Sequence, residues 1–86
     1  MPKFYKIKLK NATRNNDKYL NLIQFVYMLS ENEMKTITED INKKGEANFG
    51  CYPYDIAHTL TKIFIDNCTQ YNYSASIDLV EFKKNL

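Results

Sequence analysis

The stretch Tyr5-Lys6-Ile7-Lys8-Leu9-Lys10 alternates apolar side chains with lysines. A period of two places the two sets on opposite faces of a β-strand, and we predict such a strand from about Lys3 to Lys10. One face of this strand is apolar and the other is basic. The edges of this strand need partner strands, and its apolar face has to be covered by other elements. We therefore expect the rest of the chain to contain further strands and covering helices.

Two helices are predicted after a polar loop, Asn11–Asn16. Apolar residues recur at helical spacing from about Asp17 to Leu29. We assign this first stripe to Leu20, Leu22, Ile23, Phe25, Val26, Met28 and Leu29. Ser30 and Glu33 have the spacing of a capping box, which predicts the start of a second helix with Met34, Ile37 and Ile41 on its apolar side. Gly45 is suited to end this helix in the left-handed conformation.

A strand, a helix and a last strand complete the prediction. The second strand covers Ala47–Tyr52, with its apolar side formed by Ala47, Phe49 and Cys51. Pro53 suits the first turn of a third helix that ends near Tyr71. Its expected core face consists of Ile56, Leu60, Ile63, Phe64 and Cys68. Ala75, Ile77 and Leu79 then alternate with Ser76, Asp78 and Val80 in the last strand. The order β-α-α-β-α-β predicts an α+β two-layer sandwich, a three-stranded antiparallel sheet with three helices on one face.

Length and composition limit the class of protein. Eighty-six residues suffice for one domain, 1–86, and a net charge of +2 does not require an anionic partner. The longest apolar runs, such as Phe25–Leu29, are far shorter than the ~20 residues of a membrane span. No apolar segment follows the first lysines, as it would in a secretory signal. We therefore expect a cytoplasmic protein that does not bind membranes.

The sequence gives little support to catalysis, and we expect neither a metal nor a cofactor. His58 lies off the apolar stripe of the third helix, so we expect it to be exposed, with no acid or nucleophile committed to it. Together with Cys51 and Cys68, it is too little for a four-ligand zinc site. Gly45 and Gly50 do not have the spacing of a phosphate-binding loop. We predict that the protein is not an enzyme.

A basic segment and many tyrosines favour binding functions. Lys6, Lys8 and Lys10 are followed by Arg14 and Lys18, and the rings of Phe4 and Tyr5 between them are of a kind that stacks on bases. Lysines on the outer face of a strand more often keep it soluble, so we expect no nucleic-acid partner, although a small nucleic-acid or ribosome-associated domain stays an alternative. Seven tyrosines favour a surface that binds peptide or protein.

The stretch Lys44–Thr59, KGEANFGCYPYDIAHT, resembles the Clp protease adaptor family ClpS. That family carries Lys/Gln-Gly-x-Ala-x-x-Gly-x-Tyr/Phe-Pro/Thr-x-Glu-Val-Ala-x-Thr here, and Tyr5–Asn11 is similar to its first strand and the asparagine after it. The resemblance implies an adaptor that binds proteins with a large hydrophobic N-terminal residue (an N-degron) and hands them to an AAA+ unfoldase.

The resemblance also implies a peptide-binding site. In the family, an Asn-Asp-Asp run and a histidine form the rim that binds the α-ammonium. Here Asn11 keeps the asparagine, Ala12 and Thr13 replace the acidic pair, and Asn42 replaces the histidine. Asp17 is a candidate substitute for the missing acids. The implied set is Asn11, Thr13, Asp17, Leu20, Thr38, Ile41, Asn42 and Ala75. Since the acids are missing, we expect weak binding of protein N-termini.

The implied partner surface lies at the start of the third helix. It contains Tyr54, Asp55, His58 and Lys62, of which Asp55 matches the acid that faces the N-domain of the unfoldase. About three residues precede the first strand, where the family has an extension needed for delivery, so we expect delivery to be weak. A second hypothesis is a relative that keeps the fold, has lost N-degron recognition, and acts as a competitor or binds other clients.

Overall fold

The basic strand is the central strand of the sheet. The computed structural model describes residues 3–82, and here β1 lies between β2 and β3 and is antiparallel to both. The elements are β1 (Phe4–Lys10), α1 (Asp17–Tyr27), α2 (Glu31–Lys44), β2 (Ala47–Pro53), α3 (Tyr54–Gln70) and β3 (Ser76–Phe82). Ile7 and Leu9 are fully buried beneath the helices, whereas Lys6 on the other face is exposed. The predicted α+β order and the three-stranded antiparallel sheet are confirmed.

Tyr27 joins the helices to the sheet. Its ring lies 4.9 Å from the Phe49 ring and 5.9 Å from the Phe64 ring, between centroids. Its hydroxyl forms a hydrogen bond of 3.1 Å with Thr61 Oγ1, and its carbonyl accepts one of 3.2 Å from the Tyr52 hydroxyl. Residues of α1, β2 and α3 therefore meet at one side chain that is 2% exposed.

The predicted boundaries of α2 are confirmed. Ser30 Oγ accepts a hydrogen bond from the Glu33 amide, and the Glu33 carboxylate accepts one from the Ser30 amide, which completes the capping box. Gly45 ends the helix with φ 73°, in the left-handed region, and its amide donates to the Ile41 carbonyl. Met34, Ile37 and Ile41 are buried, as the spacing predicts.

α1 ends earlier and buries a narrower face than predicted. Met28 adopts the left-handed conformation with φ 53° and is the C-cap, so the helix ends at Tyr27. Phe25 and Met28 are 82% and 81% exposed, and their assignment to the core was wrong. Ile23 and Val26 point into the core, and Phe25 lies about 200° around the helix from Ile23 because successive residues turn by ~100°.

A β-bulge in β2 overturns the prediction for Cys51. Tyr5 pairs with Tyr52 and Ile7 with Phe49, so three steps along β2 oppose two along β1. The bulge contains Gly50, whose φ of 76° is left-handed and where a Cβ would overlap the Tyr52 ring. The extra residue reverses the alternation, so Cys51 is exposed and the Tyr52 hydroxyl reaches the core.

α3 buries Phe64 and Cys68 as predicted, but its buried face is rotated slightly from the predicted one. Pro53 is the N-cap, outside the helix, and not part of its first turn. Ile56 and Ile63, predicted as core residues, are 49% and 45% exposed. The buried positions are Ala57, Phe64 and Cys68, with Leu60 partly buried. The prediction was wrong for Ile56 and Ile63 because only packing against α1 and the sheet decides which side of a broadly apolar helix faces inward. Among residues 3–82, no helix is both long and apolar enough to cross a membrane.

The neighbours Ile63 and Phe64 test this rotation. We expect Phe64→Ala to lower the free energy of unfolding by about 3–5 kcal/mol, because its ring is fully buried against Tyr19 and Tyr27. Ile63→Ala should cost about 1 kcal/mol or less, since its side chain is nearly half exposed. Urea unfolding followed by circular dichroism measures both, and equal losses would contradict this orientation of α3.

Candidate functional site

The loop after β1 is bound to the end of α2. The Ala12 amide donates a hydrogen bond of 2.9 Å to the Gly45 carbonyl. The Asn15 amide donates one of 3.2 Å to Asn42 Oδ1, in the last turns of α2. The Arg14 guanidinium lies over Gly45, with Nη2 3.0 Å from where a Cβ would stand. A glycine at position 45 thus both ends α2 and leaves room for the Arg14 side chain.

The same loop also contacts the segment before β3. The Ser74 amide donates a hydrogen bond of 3.3 Å to Thr13 Oγ1. Between the loop and the end of α2 lies a cleft of about 480 Å³, which we call the loop–α2 cleft. Its lining residues are Lys10, Asn11, Ala12, Thr13, Arg14, Lys44, Gly45, Glu46 and Ser74.

The loop–α2 cleft is basic. Lys10, Arg14 and Lys44 border it together with one acid, Glu46. Lys10 is already compensated, since its Nζ lies 2.6 Å from Asp78 Oδ2 and this hydrogen-bonded pair raises the pKa of Lys10 and lowers that of Asp78. Within residues 3–82, neither Arg14 nor Lys44 forms an ion pair. Two cations are therefore available to a ligand.

A second surface lies at the start of α3. Tyr54, His58 and Lys62 follow at intervals of four residues, so they share one side of the helix. The Tyr54 ring stacks on His58 with 5.9 Å between centroids and meets the Tyr5 ring edge-on at 5.4 Å. Tyr54, Asp55, His58 and Lys62 are all exposed, and we call them the α3-start surface. The structure brings these four predicted residues together.

Comparisons with known proteins agree with the resemblance in the sequence. Over 70 residues, the chain is 34% identical to the ATP-dependent Clp protease adapter protein ClpS of Nautilia profundicola. The match covers 72% of this chain and 72% of that protein. The chain belongs to the ClpS family. No family model matches it. No solved structure matches it either.

The residues that the resemblance to ClpS implies for a peptide site do not share one cavity. Asn11 and Thr13 line the loop–α2 cleft, whereas Thr38 borders a different groove, formed with α1. Ile41 is fully buried, so it supports the end of α2 from below. Leu20 and Ala75 are partly buried against the core. Asn42 is exposed, and its side-chain oxygen accepts from the loop. Asp17 is exposed in the first turn of α1.

Sequence reasoning missed the role of Arg14 and Lys44. Arg14 was noted only as part of a basic segment, and Lys44 only as the first residue of the stretch that resembles ClpS. They are thirty positions apart in the sequence and border one cleft because the Ala12 amide is bound to the Gly45 carbonyl. The left-handed Gly45 was predicted from the sequence, but its hydrogen bond to the Ala12 amide is not visible in residue spacing. The charge of this cleft therefore emerges only from the tertiary structure.

An aromatic groove lies between α1 and the segment after α3. It has a volume of about 490 Å³, and its lining residues are Lys18, Asn21, Leu22, Phe25, Tyr71 and Tyr73. The Tyr73 ring packs edge-on against the buried Tyr19 ring, with centroids 5.5 Å apart. Phe25, wrongly predicted as a core residue, forms part of this groove.

The buried titratable groups belong to the core and not to a reactive centre. Burial raises the pKa of Tyr27 to about 12 and that of the Cys68 thiol to about 11. Burial also raises the pKa of Tyr19, whose hydroxyl has no hydrogen-bond partner among the described residues. All three side chains are neutral at pH 7. Over residues 3–82, no group of three or more His, Cys, Asp or Glu side chains is placed to hold a metal.

The Lys10–Asp78 pair gives a pH-dependent test of the cleft rim. We expect Asp78 to titrate below the usual range for aspartate, and Lys10→Gln to return its pKa towards that range because the mutation removes the hydrogen bond and the charge. Lys8→Gln is the matched control and should move it less, since Lys8 acts on Asp78 through charge alone. Carboxyl-carbon NMR titration measures all three proteins.

The sign of the effect on stability follows from the same shift. A depressed folded-state pKa stabilises the protein above the pKa of an unfolded aspartate, and this stabilisation is lost as the pH falls through the folded value. The contribution is small because both side chains are partly exposed to solvent. An Asp78 pKa that does not change in Lys10→Gln would contradict the pairing.

Proposed function

We propose that the protein is a Clp protease adaptor that docks on the N-domain of a Clp AAA+ unfoldase through the α3-start surface, and that binds free protein N-termini weakly or not at all. Membership in the ClpS family supports the adaptor role, since the relative from Nautilia profundicola is named a Clp protease adapter. We infer a binding function without catalysis.

The geometry of the α3-start surface supports its use in docking. Tyr54 is held between Tyr5 and His58, so an exposed aromatic side chain is presented in a fixed orientation. Ordered tyrosines are enriched at protein interfaces because they bury a large area at a low entropic cost. Asp55 lies beside them in the first turn of α3, where its charge is favoured by the helix dipole. An aromatic anchor beside a fixed acid suits a partner with a basic rim.

The loop after β1 lacks the acidic side chains that would bind an α-ammonium group. A cation entering a partly dry site requires acceptors, and leaving it unpaired is costly. Ala12 has no side-chain acceptor, and the oxygens of Thr13 and Asn42 already accept hydrogen bonds from Ser74 and Asn15. The cations that border the loop–α2 cleft would repel an ammonium group. These observations support an adaptor that has lost N-degron recognition over one that retains it.

Reversing the charge of Asp55 tests docking. We expect Asp55→Lys to weaken binding to a purified Clp unfoldase N-domain by about 10-fold or more, because an acid at an interface rim contributes to association and specificity. Asp66→Lys is the matched control, since Asp66 is an exposed acid farther along α3, and it should bind like the unmodified protein. Isothermal calorimetry measures the affinities. An unchanged affinity for Asp55→Lys would refute this docking surface.

Peptides with a free N-terminal Phe, Leu, Tyr or Trp test the lost recognition. We expect negligible binding to the unmodified protein in fluorescence anisotropy. The double variant Ala12→Asp, Thr13→Asp should bind about 30- to 1,000-fold more tightly, because charged acceptors form hydrogen bonds roughly twice as strong as neutral ones. N-acetylated peptides are the control. Low-micromolar binding by the unmodified protein that acetylation abolishes would show that N-degron recognition is intact.

A further inference from the structure

We propose that the loop–α2 cleft binds the carboxylate of a peptide, so that this adaptor recognises a client by a negative group and not by its N-terminal ammonium. The inference rests on the proposed function and names the client chemistry for it. It starts from two cations at the cleft, Arg14 and Lys44, that form no ion pair within residues 3–82.

The loop backbone that carries Arg14 is held in place before any ligand binds. The Arg14 guanidinium lies against the surface of Gly45, where the missing Cβ leaves space, and its loop is fixed by hydrogen bonds from Ala12 and Asn15 to α2. A guanidinium presents a planar fork of donors that matches the two oxygens of a carboxylate. Since the loop is already fixed, little ordering is required when the ligand arrives.

The charges around the cleft favour one negative charge over two. Lys10 is paired with Asp78, so its charge is already balanced. Arg14, Lys44 and Glu46 together leave one net positive charge at the cleft, which a single carboxylate neutralises and a dianion would exceed. A carboxylate therefore fits this site better than a phosphate group does.

The remaining lining suits a peptide attached to that carboxylate. A volume of about 480 Å³ exceeds what a small ion fills and has room for one or two residues of a chain. Asn11 and Ser74 also line the cleft, and an amide and a hydroxyl side chain are of a kind that pairs with peptide N–H and C=O groups. The cleft thus combines two cations for the charge with neutral partners for the backbone.

Three peptides of the same length separate the possible ligands. These are Ac-Ala-Ala-Phe with a free C-terminal carboxylate, its C-terminal amide, and Phe-Ala-Ala-amide with a free ammonium. In ¹⁵N-HSQC titrations, the first should shift the amides of residues 11–14 and 44–46, and the other two should not. The peptide Ac-Ala-Glu-Phe-amide carries a carboxylate only on its glutamate side chain. Shifts by this peptide would assign the cleft to side-chain carboxylates, and shifts by Ac-Ala-Ala-Phe alone would assign it to the C-terminal carboxylate; either result supports the proposal.

Variants of opposite effect exclude misfolding as an explanation. We expect Arg14→Gln and Lys44→Gln each to weaken binding of the carboxylate peptide by roughly 10-fold, because each removes a charge-assisted contact. Glu46→Gln should strengthen it several-fold, a gain that a damaged fold cannot produce. Lys35→Gln is the matched control, because Lys35 is an exposed lysine of α2 that borders a different groove.

Several outcomes would overturn the proposal. They are equal shifts by the amide and acid peptides, cleft shifts by the ammonium peptide alone, and unchanged binding in Arg14→Gln together with Lys44→Gln. Saturation of the cleft by a single-stranded oligonucleotide at physiological salt, with no peptide bound, would assign it to nucleic acid instead. No unfoldase takes part in these titrations, so their failure is separate from failure of docking through Asp55.

Discussion

Every strand-to-strand hydrogen bond of the sheet involves β1, since β2 and β3 pair with it and not with each other. This central strand is buried on one face and basic on the other. Ile7 and Leu9 anchor the helices on the buried face, while Lys10 pairs with Asp78 across the sheet on the open face. The two candidate surfaces lie at opposite ends of this strand. The α3-start surface is near its first residues, and the loop–α2 cleft follows its last residue.

The loop after β1 forms one wall of the loop–α2 cleft. Ala12 is bound to the Gly45 carbonyl, and the left-handed glycine that ends α2 provides that carbonyl in the required place. The same glycine accommodates the Arg14 side chain. In the ClpS resemblance this loop carries acids that bind an ammonium. Here it carries neutral residues and Arg14, so the loop presents a positive charge instead.

The parts of the fold that depend on local interactions could be predicted from the sequence. The alternation in β1, the capping box at Ser30 and the Gly45 stop depend on neighbours within four residues, and each was confirmed. The bulge at Gly50 and the rotation of α3 depend on the ring of Tyr52 and on packing against α1. Those are contacts between distant residues, which periodicity does not encode. The loop–α2 cleft could not be predicted from the sequence for the same reason, since Arg14 and Lys44 come to border one cleft only in the folded chain.

The separation of the two surfaces suits an adaptor. Tyr5, at the start of β1, packs against Tyr54 of the α3-start surface, whereas Asn11, directly after the end of β1, lines the loop–α2 cleft. Six steps along a strand of ~3.4 Å each place the two ends about 20 Å apart. A client held in the cleft therefore leaves the α3-start surface free for an unfoldase. Because β1 is paired on both sides and the two proposed surfaces lie at its ends, a client in the cleft and a partner on the α3-start surface would be held this distance apart.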